Sequence, residues 1–182
     1  MDYRKISEEA LDKTETQMLV KAVGEIMHSR LHIEDATNLN LAELAQKARL
    51  YKQLKSLDIL IIDYLHLLKV RSTANKSESL KMATWALKNL ATELNISILL
   101  LCPLSRIKSA EQEHPQLSDL NEIPGITQEA DEVWLLDRAY TRTHRKEDSE
   151  KAELSIIKIA DNSTKNIPLR FTHKRGFTPV EA

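Results

Sequence analysis

The segment Leu57-Asp58-Ile59-Leu60-Ile61-Ile62-Asp63 decides the fold class of this chain. Its apolar run is almost continuous and ends in a carboxylate, a pattern typical of a strand buried on both faces of a parallel sheet. A second run of this kind covers residues 96–102. Between the two, residues 78–94 carry apolar side chains at helical spacing. Strand, helix and strand in this order predict an α/β fold.

Helices are predicted on the N-terminal side of this unit. Residues 7–30 are interpreted as one amphipathic helix with Ser7 as its N-cap. Residues 40–55 are interpreted as a second helix with Asn40 as its N-cap. Residues 31–33 between them are predicted to form a short strand.

The C-terminal third of the chain predicts further strands. Residues 133–136 are apolar and strand-like, and residues 138–151 are charged without apolar period, which indicates a mobile loop. Residues 154–159 and 167–171 are interpreted as an antiparallel pair at the edge of a mostly parallel sheet. The 182 residues are therefore predicted to form a single α/β domain.

Glycine content excludes two families of nucleotide site within these residues. The chain has only three glycines, and Gly24, Gly125 and Gly176 lie far apart in sequence. A phosphate loop and a dinucleotide fingerprint each need glycines a few residues apart, because backbone N–H groups must approach the phosphates closely. Neither motif is present in the sequence.

Charge and cysteine usage limit the remaining classes. The net charge of -1 excludes a wholly basic nucleic-acid coat and an acidic disordered tail. Cys102 is the only cysteine, so an internal disulfide and a cysteine zinc cluster are excluded. Cys102 is predicted to be a buried structural thiol. No apolar run is long enough to span a bilayer, and a cytoplasmic location without a membrane partner is expected.

Three groups of residues could carry chemistry, each with a simpler alternative. Asp63 follows an apolar strand, where it could hold Mg²⁺ beside phosphates or could simply end the strand. Residues 119–122 and 128–131 could face a ligand or form a solvated helix. Two basic clusters could contact phosphates or be ordinary solvated surface, and they comprise Lys69, Arg71, Lys76 and Lys81 in one and Lys165, Arg170, Lys174 and Arg175 in the other.

Four blocks match one known family in order and spacing. Residues 60–68 (L-I-I-D-Y-L-H-L-L) resemble the I-D-Y-L-Q-L signature of the hexameric bacterial replicative DNA helicases of the DnaB type. Residues 87–96 (L-K-N-L-A-T-E-L-N-I) resemble that family's L-K-x-L-A-x-E-L-N-V junction. Residues 118–122 and 126–131 resemble its S-D-L-R-E and I-E-Q-D-A-D blocks.

The resemblance implies a RecA-like ATPase core in a ring-shaped hexamer, with single-stranded DNA in the central channel. It implies ATP and Mg²⁺ as cofactors, with Asp63 binding the metal through water. It places Lys158 at the nucleotide of a neighbouring subunit. It assigns Arg106, Asn121 and Glu122 to DNA binding.

Several positions depart from the family pattern. Pro103 stands where the family has a γ-phosphate-sensing Gln, and Ala160 where it has the Arg of a K-x-R pair. Asn121 replaces an Arg and Pro124 replaces a Gly in the DNA-facing block. The family's phosphate loop and catalytic Glu lie upstream of the matched region, so the chain is expected to lack the N-terminal part of the core.

These departures imply no catalytic residue in this chain and no ATP hydrolysis by the chain alone. The chain is interpreted as a truncated helicase ATPase domain whose ancestry is DNA unwinding in replication. Two alternatives stay open: a non-catalytic interaction module that docks on an intact helicase ring, and a degenerate fragment.

Overall fold

A computed structural model describes residues 5–6, 10–35, 40–64, 76–104, 114–122 and 125–180, with backbone alone at residues 76, 77, 121 and 122. Strands β1 (Ile59–Ile62) and β2 (Ser97–Leu100) pair in parallel, with Ile59 opposite Ser97 and Ile62 opposite Leu100. The predicted α/β unit is thereby confirmed, and both strands end at the same edge of the sheet.

Two helices precede β1. Helix α1 (Lys13–Met27) begins after Asp12, whose side chain accepts the backbone N–H of Glu15 at 2.8 Å. Glu15 in turn accepts the backbone N–H of Asp12, which completes a capping box. The helix therefore begins later than the predicted residue 7, and Ser7, the predicted cap, lies outside the described residues.

Helix α2 (Leu41–Lys55) confirms the second helix with its N-cap. Asn40 and Glu43 form the same reciprocal box, and Leu44 and Ala48 are buried. Residues 31–35 form no strand, contrary to the prediction for residues 31–33. They lie on α2 instead, where the rings of His32 and Tyr51 are 5.2 Å apart.

Helix α3 (Lys76–Leu94) links the two parallel strands as predicted. Asn95 ends it with φ 48°, a left-handed conformation that asparagine tolerates. The chain then enters β2 after one further residue. The end of α3 therefore lies at the edge where β2 begins, and its first turns lie toward the edge where β1 and β2 end.

The C-terminal part is a four-stranded antiparallel sheet in the order β3-β4-β5-β6. Its strands are β3 (Glu132–Arg138), β4 (Lys151–Lys158), β5 (Thr164–Thr172) and β6 (Gly176–Pro179). The first three confirm the predicted strands, and β6 was not predicted. Gly176 opens β6 with φ 68°, which a glycine adopts without strain in the tight β5–β6 turn.

The predicted loop over residues 138–151 is shorter in the structure, because Arg138 still belongs to β3 and Lys151 already belongs to β4, and residues 139–150 between them are partly helical. They contain a helical turn, α5 (Tyr140–Thr143), and a 3₁₀ turn (Lys146–Asp148). The short helix α4 (Ile126–Glu129) lies earlier in the chain, before β3. Asp148 joins the two turns by accepting hydrogen bonds from Thr143 Oγ1 at 2.9 Å and Lys151 Nζ at 2.7 Å. Side-chain contacts, which hydrophobic periodicity does not detect, hold this segment.

Both sheets pack against α3 through one face. Leu80 and Ala83 of α3 form a core with Leu120, Val133 and Leu135, and Leu100 of β2 packs against it. Further along α3, Leu87 packs with Leu44 of α2 and Ile62 of β1. The two sheets thus lie side by side in one layer, with β2 nearer to β3 than β1 is.

The opposite face of this layer is exposed, so the prediction that β1 is buried on both faces is wrong for the described chain. Side chains on this face are between 41% and 58% exposed. We refer to the following five residues as the open face: Ile59, Ile61, Leu99, Trp134 and Leu136.

Candidate functional site

The carboxyl ends of the parallel strands form the first candidate site. Asp63 follows β1 directly and is exposed, and its carboxylate has no hydrogen-bond or ion-pair partner among the described residues. The neighbouring backbone is held in place, because the N–H of Leu101 donates to the carbonyl of Ile62 at 3.0 Å. Asp63 therefore lies on an ordered edge, and no described side chain competes for its carboxylate.

β3 runs in the same direction as β1 and β2. Lys88, in the second half of α3, binds the carboxylate of Asp131 at 2.7 Å, just before β3 begins. Leu135, near the end of β3, packs with Leu80 and Ala83 from the first half of α3. β3 thus starts at the edge where β2 starts and ends at the edge of Asp63.

Pro103 lies on the same edge, three residues after β2, and is exposed. Proline offers no side-chain donor and no backbone N–H, so this position cannot donate a hydrogen bond to a phosphate. Cys102 beside it is half-buried in the first core cluster, and burial raises the pKa of its thiol to about 11. The predicted structural role fits this environment, since a protonated thiol is a poor nucleophile.

A polar cluster at the end of β3 was missed by the sequence analysis. Asp137 is buried and binds Arg142 through two contacts, at 3.1 Å to Nε and 2.7 Å to Nη2. His114 Nδ1 lies 3.3 Å from Asp137 and 4.0 Å from Glu153 of β4. The only sequence signal was Asp137 itself, an acidic residue directly after the apolar run of residues 133–136.

The candidate DNA-binding helix lies next to this cluster. Residues Leu117–Glu122 form a 3₁₀ helix, in which Asp119 accepts the backbone N–H of Gln116 at 2.7 Å. Leu120 is 5% exposed and anchors the helix in the core below α3. Asn121 and Glu122 form its last two residues, and only their backbone is described. Arg106 and Pro124 lie outside the described residues.

Lys158 lies at the opposite edge of the sheet. It ends β4 and is paired with Glu132, the first residue of β3. The β4–β5 turn that follows is ordered, because Lys158 N–H donates to the Ser163 carbonyl at 2.9 Å and Ser163 N–H donates to Asp161 at 2.9 Å. Hydrogen bonds from the Ser163 hydroxyl and backbone hold the pKa of Asp161 below its ordinary value. Ala160 in this turn adds no second cation.

The basic clusters differ in how they are placed. Lys165, Lys174 and Arg175 are exposed on β5 and the β5–β6 turn, while Arg170 lies 3.7 Å from Glu150. In the other cluster Lys81 is exposed on α3. Lys69 and Arg71 lie outside the described residues, and the side chain of Lys76 is not described.

The side chains available as metal ligands at the Asp63 edge determine which metal ion could bind there. Among the described residues, no group of three His, Cys, Asp or Glu side chains could hold a metal ion. Mg²⁺ does not need such a group, because it keeps several waters and binds through one or two carboxylates plus substrate phosphates. A single exposed Asp63 therefore fits Mg²⁺ only when a nucleotide supplies the remaining oxygens.

None of the described helices combines the length and apolar character that a bilayer span requires.

Curated relatives are replicative helicases. The chain is 30% identical over 156 residues to the replicative DNA helicase DnaC of Bacillus subtilis, a match that covers 84% of this chain and 34% of that protein. It is 31% identical over 145 residues to the replicative DNA helicase DnaB of Geobacillus stearothermophilus, covering 78% and 31%. A probable plasmid replicative DNA helicase of Chlamydia muridarum matches at 30% over 171 residues, covering 93% and 36%. The chain thus spans about a third of the length of these relatives.

Solved structures agree with this likeness. A solved ATPase domain superposes with a TM-score of 0.86 at 27% identity, over 100% of this chain and 66% of that one. A DnaB-like replicative helicase studied with primase gives a TM-score of 0.86 at 26% identity, over 100% and 46%. The arrangement of the two sheets on α3 is therefore that of a RecA-like helicase ATPase domain. The family model of the DnaB-like helicase C-terminal domain matches residues 1–177, and the chain belongs to this family.

Proposed function

We propose that residues 1–182 form one partial RecA-like domain, the C-terminal part of the ATPase core of a DnaB-type replicative helicase, which works in a ring on single-stranded DNA. One observation carries this proposal. Asp63 directly follows β1 at one edge of the sheet, and Lys158 pairs with Glu132 at the other edge.

The positions of Asp63 and Lys158 at opposite edges of one subunit are compatible with a head-to-tail ring of subunits. In a heterologous interface two different surfaces of the same subunit meet, and such contacts close into a ring when the rotation allows. A nucleotide bound at the Asp63 edge of one subunit would then meet the Lys158 edge of the next. One subunit cannot bring both residues to the same nucleotide, because the length of the sheet separates them.

The chemistry of the two residues supports this division. Mg²⁺, when bound with ATP, neutralises charge on the phosphates, and the Asp63 carboxylate would orient it through water. The Lys158 ammonium would supply positive charge from the neighbouring subunit. A cation placed in this way stabilises the transition state of phosphoryl transfer in other phosphate-hydrolysing enzymes.

The same region argues against hydrolysis by these 182 residues alone. Pro103 has no donor for a γ-phosphate, Ala160 provides no second cation, and the sequence contains no phosphate loop. Catalysis in this class depends almost entirely on positioning and electrostatic stabilisation. ATP turnover is therefore proposed to require a phosphate loop from outside these residues.

Single-stranded DNA is proposed to pass along the 3₁₀ helix that carries Asn121 and Glu122, with Arg106 before it. Asn121 places a neutral group where the family has an Arg, so few phosphate charges are neutralised there. Binding is expected to be weak and independent of sequence, and to decrease steeply as salt is raised.

The proposal is tested by replacing the matching region of the Geobacillus stearothermophilus DnaB with these 182 residues and measuring ATP hydrolysis on single-stranded DNA. Asp63→Asn and Lys158→Ala should each abolish most of the activity. Rings mixed from equal amounts of the two variants should recover up to about a quarter of it, because that fraction of head-to-tail interfaces joins two intact residues.

Lys165→Ala, an exposed lysine on the neighbouring strand β5, is the matched control for Lys158 and should leave hydrolysis unchanged. A mixture that recovers no activity would show that both residues serve the same nucleotide, contrary to the two-edge arrangement. Full activity of the Lys158→Ala ring would remove Lys158 from the site.

A further inference from the structure

Two carboxylates face each other directly across the first two strands of the antiparallel sheet. Asp137 of β3 is the register partner of Glu153 of β4. Like charges directly opposite each other destabilise a strand pair, because their Cβ atoms are only about 5 Å apart. Their side chains are 9% and 30% exposed, so water screens this repulsion poorly. The pair therefore needs positive charge from neighbouring segments.

Arg142 of α5 supplies one positive charge. Its guanidinium binds both carboxylate oxygens of Asp137, from Nε at 3.1 Å and from Nη2 at 2.7 Å. One cation does not balance two carboxylates, and an ionised carboxylate can accept more than two hydrogen bonds. Asp137 and Glu153 together can therefore hold a second donor from outside the sheet.

His114 is in the position of this second donor. Its Nδ1 lies 3.3 Å from Asp137 and 4.0 Å from Glu153, so a single ring nitrogen faces both carboxylates. Asp137, Glu153 and Arg142 belong to the sheet and to the turn that follows β3. His114 comes from a different part of the chain, the segment that leads into the 3₁₀ helix of residues 117–122. The contact therefore joins this segment to the sheet.

The connection between His114 and the 3₁₀ helix is short and stiff. Only Pro115 and Gln116 lie between them, and the ring of a proline fixes its φ at about −65°. The backbone N–H of Gln116 donates to the Asp119 carboxylate at 2.7 Å, which ties the connection to the first turn of the helix. A displacement of His114 is therefore passed on to the start of the helix.

The helix has a second attachment at Leu120, which packs with Leu80 and Ala83 of α3. A single buried side chain fixes the position of a short helix but still allows the helix to pivot about it. The internal hydrogen bonds of a 3₁₀ helix have poor geometry, so they contribute little rigidity. Leu120 and His114 together fix two points, and two points determine the direction of the helix.

From the carboxylate pair and the short connection, we infer that His114 is a positioning residue for the 3₁₀ helix that carries Asn121 and Glu122. Its contact with Asp137 and Glu153 holds the helix in a fixed orientation relative to the end of β3, and so relative to the edge of Asp63. His114 acts through the backbone of the helix and does not touch DNA itself. The consequence for DNA binding rests on the proposed function, whereas the orientation of the helix does not.

Amide hydrogen exchange of the full 182-residue chain without DNA tests the positioning alone. In His114→Ala the amides of residues 117–122 should exchange several-fold faster, while those of α3 stay unchanged and report intact folding. Glu153→Gln should have a smaller effect of the same kind, and should add nothing in the His114→Ala background. His28→Ala is the matched control, because the ring of His28 contacts the Gly24 carbonyl and no described carboxylate.

Fluorescence anisotropy of a labelled oligothymidylate at low salt measures the consequence for single-stranded DNA. His114→Ala should weaken binding several-fold without lowering the thermal midpoint. His114→Lys should restore binding, because its ammonium can reach the same two carboxylates. Adding Asp137→Asn and Glu153→Gln to His114→Lys should remove this rescue, although the charge of the lysine is still present.

The outcomes separate this inference from the proposed function. Unchanged exchange of residues 117–122 in His114→Ala would overturn the inference, whether or not the chain binds DNA. Tight DNA binding by the triple variant would also overturn it, because the lysine would then contact phosphates directly. Faster exchange with unchanged DNA affinity in His114→Ala would support the positioning role and would contradict the proposed path of DNA along this helix.

Discussion

The two faces of the sheet layer carry the same kinds of residue but have opposite surroundings. Toward α3, Leu135 is 4% exposed, and Leu87 of the helix that covers this face is also 4% exposed. Away from α3, Leu136 is 48% exposed although it is the next residue along the same strand. Strand geometry alone sends neighbouring residues to opposite faces.

The difference shows that an apolar strand sequence does not decide its own burial. Ile61 and Ile62 are identical and adjacent, yet Ile61 is 57% exposed and Ile62 only 7%. Burial stabilises a side chain only where another element removes it from water. The described chain provides α2 and α3 for one face and no helix for the other.

The largest expected effect is the loss of a core side chain on the covered face. Leu87→Ala should lower the free energy of unfolding by about 3 kcal/mol, because it leaves a cavity between α3, α2 and β1. Urea denaturation followed by circular dichroism measures the change.

Leu136→Ala on the open face is its matched control and should change the free energy of unfolding by less than about 1 kcal/mol, since half of the side chain is already in water. Equal losses for the two variants would mean that the open face is covered in solution.

The polar member of the covered face should matter nearly as much. Asp137→Ala leaves Arg142, whose side chain is 18% exposed, without its paired carboxylate. We expect a loss of about 2 kcal/mol in the free energy of unfolding, below the value for a fully buried pair.

The exposed pair of Arg49 and Glu93 provides the control, because both side chains are about half exposed, at 46% and 48%. Glu93→Ala should leave the free energy of unfolding nearly unchanged, because exposed ion pairs are screened by solvent. If Asp137→Ala were as mild as this, the contact with Arg142 would be a surface contact in solution.

Removal of the N-cap should have different effects on a packed helix and on an unpacked one. Asn40→Ala removes the cap of α2, which buries Leu44 and Ala48, and should lower the free energy of unfolding by about 1 kcal/mol. Asp12→Ala removes the same capping box from α1, which has no buried residue, and should reduce helicity without changing the global transition. Chemical denaturation and the helical circular dichroism signal at low denaturant distinguish the two variants. An equal loss in the free energy of unfolding from Asp12→Ala would show that α1 is packed on the rest of the domain.

The open face should control association more than stability. The isolated chain is expected to self-associate, because strand edges and apolar side chains are exposed together. Leu136→Lys should reduce the apparent mass in light scattering at equal concentration, with little change in the thermal transition. A wild-type chain that remains a monomer and melts cooperatively above about 65 °C would show that the layer is complete by itself.

Acid should loosen the segment after β3. Hydrogen bonds from Lys151 and then Thr143 hold the pKa of Asp148 below its ordinary value of 3.8. A depressed pKa stabilises the fold above the unfolded value, and this stabilisation is lost as the pH falls through the folded pKa. Stability measured between about pH 5 and pH 2 should therefore fall less steeply in Asp148→Asn than in the wild type, and identical profiles would contradict the role of this carboxylate.

The correctly predicted elements are those that depend only on residues close to each other in sequence. The cap at Asn40 and the spacing of apolar residues in α3 depend on residues within one or two turns of each other. Their prediction was confirmed for this reason. Asp63 was likewise placed at a strand end from sequence, because an apolar run that stops at a carboxylate is a local pattern.

Non-local contacts explain the errors. Residues 31–33 have strand composition, but they pair with no described strand and lie on α2 instead. Residues 139–150 have no apolar period, yet the contacts of Asp148 order them. The cluster of Asp137, Arg142, His114 and Glu153 joins residues up to 39 positions apart, from His114 to Glu153, so no window of sequence contains it.

By itself, the sequence determined the α/β class, the family, the parallel pair around α3 and the absence of a phosphate loop within these residues. Each follows from spacing, composition or motif order. Only the tertiary structure decided that Asp63 and Lys158 lie at opposite edges, that the two sheets share α3, and that one face of them is uncovered by any described helix. Strand direction and burial depend on which elements meet in space, and a chain does not encode this within any short segment.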